Sequence, residues 1–305
     1  MLLAVNDFVF KFIFGMEERK ELLRSLINLT LERAGLPLAA TLTLRNPFVN
    51  PKHEDDKASV LDVEATDDHK RIFDLEVQLR REPAYAERAL FYWSRKYGDQ
   101  LTVGNDYLKL HPVIGIHLLD FTLRPDKRHF FKIYRFKDDT DPDPSSAMSL
   151  TPNATLIMLE LPLMPPARDC GRLEKLLLLL KHEGGDEAMV KTLTEQDKLL
   201  AEIDEAYHKF HADPDLRSIY EGRLKWQMDQ ATALAVAKDE GLAEGEVKGK
   251  AEGKAEGKAE GKAEGKAEGK AEGKAEDARN LRQLGVSLDI IAKATGLSQE
   301  ELEKL

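Results

Sequence analysis

A single cysteine, Cys170, stands in 305 residues, which excludes an intramolecular disulfide and fits a reducing cytoplasm. Long apolar runs are missing too. The longest leucine stretch, residues 176–180, is far too short to cross a bilayer, so no membrane association is expected. Residues 1–5 are apolar but have neither a basic flank nor a cleavage pattern, and they do not read as a signal peptide. Surplus positive charge is also absent: a net charge of −10 and a pI near 5.4 argue against a polycation that coats nucleic acid. A local basic surface remains open. The eight histidines form no HExxH or comparable metal pattern. His208 and His211 lie three apart on an expected helix and, without an obvious third ligand, read as surface residues.

What the sequence does contain is a pair of alternating segments. With a period of two, residues 58–65 place Leu61, Val63 and Ala65 on one face and Val60, Asp62 and Glu64 on the other. Residues 72–79 place Phe73, Leu75, Val77 and Leu79 against Asp74, Glu76 and Gln78. A one-residue slip would turn an oily face to water, so parity fixes the register. A loop of Asp68, His69 and Lys70 then sets Asp62 opposite Glu76, with Cβ atoms about 4.5–5.5 Å apart. Such loops favour Gly where φ is positive, and here Asp68 or His69 is expected to take that place. Facing acids repel. Either a hard divalent cation (Mg²⁺, Mn²⁺ or Ca²⁺) offsets the repulsion, or the acids form the solvated face of a half-exposed sheet. The hairpin alone leaves both readings open.

Around it, Asp7 is expected to cap a helix through Phe14, and a second helix is expected over residues 17–34. Pro83 precedes an amphipathic helix over 85–101 carrying Tyr85, Phe91, Tyr92, Trp93 and Tyr97. Strands are expected over 113–119, 130–136 and 155–161, with a Pro/Asp/Ser loop over 138–149. This order predicts an α/β fold with a mixed sheet. After Pro165-Pro166 the pattern is helical over 173–238, with breaks at Gly184-Gly185 and Pro214. A Gly-Lys-Ala-Glu repeat then fills residues 249–276. Its i, i+4 neighbours are like charges and each Gly costs about 1 kcal/mol relative to Ala, so it reads as a weak helix or solvated linker. The last residues, 277–305, resemble a helix-turn-helix, with Ser298 and Glu301 spaced as a capping box. Glu300, Glu301 and Glu303 against Lys304 would repel phosphate, so a packing or dimer-forming hairpin is expected there rather than a DNA reader.

Several motifs in sequence order carry a family resemblance. They are Asp7-x-x-Phe10-Lys11-x-x-Phe14, Asp62, Glu76-Val77-Gln78, Glu87-Arg88-Ala89-Leu90-Phe91-Tyr92-Trp93-Ser94, Gly104-x-x-Tyr107, Val113-Ile114-Gly115-Ile116 and Asp120-Phe121. Together they resemble the Rpn family of recombination-promoting nucleases, also described as transposases, within the PD-(D/E)XK superfamily. The match covers residues 7–161 firmly and the helical region more loosely. It implies a restriction-endonuclease-like core of helix, three strands, helix and strand, and metal-dependent hydrolysis of DNA phosphodiesters. Carried onto this chain, Asp62 and Glu76 become the metal-binding carboxylates and the Val77 backbone carbonyl a further ligand. Gln78 stands where the superfamily has lysine. It offers hydrogen bonds but no charge. A DNA-binding or assembly protein with little catalysis is therefore the alternative to an endonuclease. The expected organisation is a nuclease domain over 1–165, a helical subdomain over 166–240, the repeat over 241–276 and the terminal hairpin over 277–305.

DNA as a partner requires positive charge. Residues 80–135 hold eleven Lys and Arg against six Asp and Glu. Arg88 and Arg95 are seven apart, with Tyr92 between them on one helix face, and either meet phosphates or form a solvated face. Lys11 either points toward the site from the first helix or is a solvated lysine. Homo-oligomerisation through the helical or C-terminal regions is a further expectation.

Overall fold

The computed structural model describes residues 3–48, 62–104, 106–123, 129–140, 148–166 and 169–304. Two compact units divide it, Met1–Trp226 and Gln227–Leu305.

The first unit opens with α1 (Asp7–Phe14), whose residues from Phe8 to Phe14 are all buried, Lys11 among them. Its cap is Asn6 rather than Asp7. The Asn6 backbone is extended and its side chain accepts from the Phe8 and Val9 N–H groups, which places Asp7 one step inside the helix. A 3₁₀ turn (Glu17–Arg19) leads into α2 (Lys20–Arg33), where a single helix was expected.

Among the described residues six strands form one sheet: β1 (Leu42–Leu44), β2 (Val63–Asp67), β3 (Ile72–Gln78), β4 (Val113–Leu119), β5 (Phe131–Tyr134) and β6 (Ala154–Glu160). They lie in the order β1-β2-β3-β4-β6-β5. The β1/β2, β2/β3 and β5/β6 pairs are antiparallel, whereas β3/β4 and β4/β6 are parallel. The helix α3 (Tyr85–Gly98) joins β3 to β4. From α2 to β4 the chain therefore runs helix, three strands, helix, strand in a mixed α/β fold. The strand expected over 58–65 begins among residues outside the described ones.

The hairpin has the register that parity demands. Val63 faces Leu75, Glu64 faces Asp74 and Ala65 faces Phe73. Its turn differs from expectation, because Lys70, not Asp68 or His69, takes the positive φ of 61°. Asp67 explains the shape. Its Oδ1 accepts from the His69 and Arg71 N–H groups, Oδ2 pairs with the Arg71 guanidinium at 2.6 Å, and its carbonyl accepts from Lys70 N–H. The three-residue loop is pinned at both ends, and its last member makes the left-handed turn.

One face of the sheet (Val63, Phe73, Leu75, Val77, Ile116, Leu159) packs into the main core with α1 and α2. The same core holds α4 (Arg172–His182) and α6 (Lys198–Ala212), with α5 (Glu187–Thr194) between them. Leu176 to Leu180 are all buried, which accounts for a leucine run too dense for an amphipathic stripe. The other sheet face is covered by α3. It buries Ile72, Trp93, Val113 and Ala154 together, and Tyr85, Ala89, Leu119 and Met158 beside them. On the acidic face of the hairpin Asp74 is buried, while Asp62, Glu64, Glu76 and Gln78 are half-buried beneath α3.

Helix α7 (Pro214–Gln283) includes the Gly-Lys-Ala-Glu repeat, and α8 (Leu288–Thr295) and α9 (Gln299–Glu303) follow. In the second unit Ala278, Ile291 and Leu302 form a small core. The Ser298/Glu301 capping box is formed in both directions. No helix among the described residues is long and apolar enough to cross a membrane.

Candidate active site

The site is built by laying α3 across the polar side of β2 and β3. Pro83 and Ala84, the latter left-handed at φ 58°, turn the chain into the helix. Trp93 then fastens it by donating its indole N–H to the Val113 carbonyl at 2.9 Å and stacking on Tyr97. With Trp93 facing the sheet, Arg88, Tyr92, Arg95 and Lys96 come round over the acids of the strands.

Those acids are sorted by their partners. Lys96 bridges Glu64 and Asp74, the latter at 3.1 Å. Arg88 donates to Glu76 Oε1 and to Glu82, both at 2.6 Å. Gln78 Nε2 donates to the same Glu76 oxygen at 3.0 Å. The other oxygen of Glu76 lies 3.4 Å from His117 Nδ1, which is also 2.9 Å from the Tyr85 hydroxyl. His117 reaches this place because it pairs with Glu76 in the parallel β3/β4 register. Gly115 gives it room, since a Cβ there would lie 2.9 Å from His117 Nε2. Asp62 is held by its backbone. Asn46 donates to the Asp62 carbonyl at 2.9 Å and accepts from Glu64 N–H at 2.7 Å.

The electrostatics follow from this geometry. Burial and the negative charges of Asp74 and Glu76 push the Asp62 carboxyl up to about 7. Burial alone would also raise Glu76, but its contacts with His117, Gln78 and Arg88 outweigh it and hold the carboxyl down at about 2. Asp74 is raised, by burial first. Burial lowers Lys96, but Asp74 and Glu64 more than reverse it. Asp62 is therefore the acid without a matched counter-charge, beside a fully ionised Glu76. Hard oxygen donors with uncompensated negative charge fit a divalent cation such as Mg²⁺.

A cavity of about 450 Å³ brings most of the expected site residues together: Asp62, Glu76, Val77, Gln78, Arg88, Tyr92 and Arg95 all line it. Lys11 does not line it. That side chain is buried, and burial lowers its pKa against the opposing pull of Asp62 and then Glu64, so it is no solvated lysine. Arg88, expected at a phosphate, is engaged by two carboxylates, while Arg95 and Tyr92 are exposed. Within the basic stretch, Lys132 is bound to the buried Glu160 at 2.6 Å, and Arg124, Lys127 and Arg128 lie outside the described residues.

Several contributors went unread in the sequence. Asp7 and Arg223 pair at 3.2 Å and line the same cavity. Lys96, Asp74, Asn46 and His117 complete the polar frame. For His117 the signal was available, because the parity of β4 sets it beside Glu76 once β3 and β4 are paired. Asp74 shares the period-two face of Glu76 and Asp7 opens the first family motif, whereas no local pattern announces Asn46, Lys96 or Arg223.

A family model described as PD-(D/E)XK nuclease family transposase matches residues 4–237. No curated protein matches the chain, and no solved structure does.

Proposed function

The chain belongs to the PD-(D/E)XK nuclease family transposases, and from that membership we propose that its acidic cavity is a metal-dependent DNA endonuclease site serving recombination or mobile-element biology. The observation that carries the proposal is that Asp62, Glu76, Val77 and Gln78 line one cavity, in which Glu76 is ion-paired with Arg88 and Asp62 has no ion pair among the described residues. Two carboxylates in that condition suit a doubly charged ion.

In this reading Asp62, Glu76 and the Val77 carbonyl hold Mg²⁺, with Mn²⁺ and Ca²⁺ as alternatives. The bound ion supplies Lewis acidity for phosphodiester hydrolysis. The remaining roles belong to the chain itself. Gln78, already bonded to Glu76, orients a water by hydrogen bonding but brings no charge. Lys11, buried and attracted by Asp62, supplies positive potential to the site without lining it. Arg95 and Tyr92 offer an exposed guanidinium and ring to the DNA backbone. Arg88 keeps Glu76 ionised and in place before substrate arrives.

A second reading is a DNA-binding or assembly protein with little catalysis, which Gln78 favours. Incubation of purified protein with supercoiled plasmid and Mg²⁺, Mn²⁺ or Ca²⁺ separates the two. Nicking that disappears in Asp62→Ala and in Glu76→Ala is the expected result. Nicking that survives both substitutions together would overturn the site assignment. Salt-sensitive DNA binding without nicking under any metal would favour the second reading.

A further inference from the structure

A second polar cluster lies in the helical layer, away from the acidic cavity. Glu183 ends α4, where its N–H bonds back to Leu179, and Gly184 follows with φ 85°. Asp204 and His208 sit one turn apart on α6. The three side chains meet in a cavity of about 460 Å³ beside α5. Glu183 is only 2% exposed, and no side-chain or backbone donor reaches its buried Oε2, which leaves the Asp204 carboxylate as its polar neighbour. Asp204 Oδ1 is likewise buried without a hydrogen bond, and His208 Nε2 lies 3.6 Å from it. One donor atom from each of the three lies within 4.8 Å of the others.

Two facing carboxylates cannot satisfy each other, since both only accept unless one holds a proton. Burial and the Asp204 charge push the Glu183 carboxyl up accordingly. A cation resolves the conflict more completely, and the donor set indicates which kind. Two carboxylates and one imidazole suit the borderline Zn²⁺ best, and the hard Mn²⁺, which accepts an imidazole beside carboxylates, better than Mg²⁺, which prefers oxygen ligands alone. Tetrahedral zinc bonds of about 2.0–2.2 Å put donors roughly 3.3–3.6 Å apart, and the Asp204–His208 separation is 3.6 Å. His208 is exposed while Glu183 is buried, so an ion can enter from the imidazole side.

We propose that Glu183, Asp204 and His208 form a second divalent-cation site, selective for Zn²⁺ or Mn²⁺ over Mg²⁺, that clips the end of α4 to α6. His208, exposed as its spacing suggested, is then a ligand as well. The third ligand was invisible in the sequence because Glu183 comes from a different helix.

The test uses untagged, full-length protein carrying Asp62→Ala and Glu76→Ala, which removes the carboxylates of the acidic cavity. Calorimetric titration with Zn²⁺, and separately Mn²⁺, should give one site per chain, and saturating Zn²⁺ should raise Tm by several degrees. Adding His208→Ala or Glu183→Gln should weaken binding at least 10-fold and abolish the Tm rise. In a chain with Asp62 and Glu76 intact, His208→Ala should leave Mg²⁺-dependent nicking unchanged. Absence of binding in the parent variant would overturn the proposal and leave a proton shared between the two carboxyls. Binding that persists through both His208→Ala and Glu183→Gln would overturn it as well.

Discussion

Asp62 has no ion pair among the described residues while its acidic neighbours do, and this makes its ionisation a handle on the folded state. Its carboxyl titrates near 3.8 when unfolded and at about 7 when folded. The folded state therefore holds the proton more tightly. Its contribution to stability is complete below about 3.8 and is lost as pH rises through 7. Glu76 has the opposite sign: held at about 2 against an ordinary 4.5, it stabilises above 4.5, and that stability is lost as pH falls toward 2. In EDTA, Tm should fall between pH 5 and pH 8.5, by an amount set by roughly 1–4 kcal/mol. Asp62→Asn should flatten that fall, and Mg²⁺ at pH 8.5 should reverse it in the parent chain. A Tm in EDTA that is level across the range and unchanged by Asp62→Asn would contradict the assignment of the unmatched charge to this residue. Lys11 offers a second check. Lys11→Met keeps the buried stem but removes the charge, and the nicking rate should drop about 10- to 100-fold with little change in metal affinity, a loss that Arg95→Ala should not reproduce at saturating DNA. Asp62 and Glu76 were legible because parity carries one residue across from another. Arg88 was not, because a helix position shows that it can face an acid or a phosphate but not which it meets first.

At the scale of elements, what could be read was whatever repeats along the chain. The hairpin register followed from alternation in β2 and β3, and α3 from its aromatic face. Strand β1, three residues long, has too few positions to display a period and gains its identity only from pairing with β2. The cap of α1 slipped by one residue because Asn6 and Asp7 are both good caps and only the backbone distinguishes them. The hairpin turn was misassigned for a similar reason: Asp67 dictates the loop from outside it. Since Lys70 is exposed at φ 61°, Lys70→Gly should relieve about 1 kcal/mol and raise Tm by about 2–4 °C. An unchanged or lower Tm would show that the left-handed turn is not strained. The repeat in α7 is helical although its charges give no favourable i, i+4 pairs within it, in contrast to Glu246, which precedes it and pairs with Lys250 at 2.6 Å. A four-residue period advances about 40° per repeat on a helix of 3.6 residues per turn, so the Lys and Glu stripes wind around the axis and define no fixed face. Its seven glycines face open space. Replacing all seven with Ala should increase helical ellipticity and slow amide exchange across 249–276, since each change favours the helix by about 1 kcal/mol. Identical exchange in the two proteins would mean that the segment is already fully held.

The whole molecule sets where function can be cut from the rest. The change of character after Pro165-Pro166 suggested a boundary, yet Leu176 to Leu180 of α4 and Ile203, Tyr207 and Phe210 of α6 lie in the same core as the sheet. Composition shifts report what a segment is made of, and the core reports what it is packed against. A chain ended at 165 would uncover the faces of α1 and α2 that pack on α4 and α6, at a cost on the order of 25 cal/mol for each Å² of apolar surface exposed. It should fail to give a cooperative thermal transition. Arg223, which pairs with Asp7 at the cavity, extends the required chain into α7. The residues that line the acidic cavity run from Asp7 to Arg223. A chain ended at 248 should therefore keep the main thermal transition and metal-dependent plasmid nicking within about 3-fold of full length, whatever happens to its oligomeric state by sedimentation. If that chain folds with an unchanged transition yet has lost nicking altogether, the repeat and terminal hairpin act in cleavage itself, and the site is larger than the cavity between α3 and the sheet.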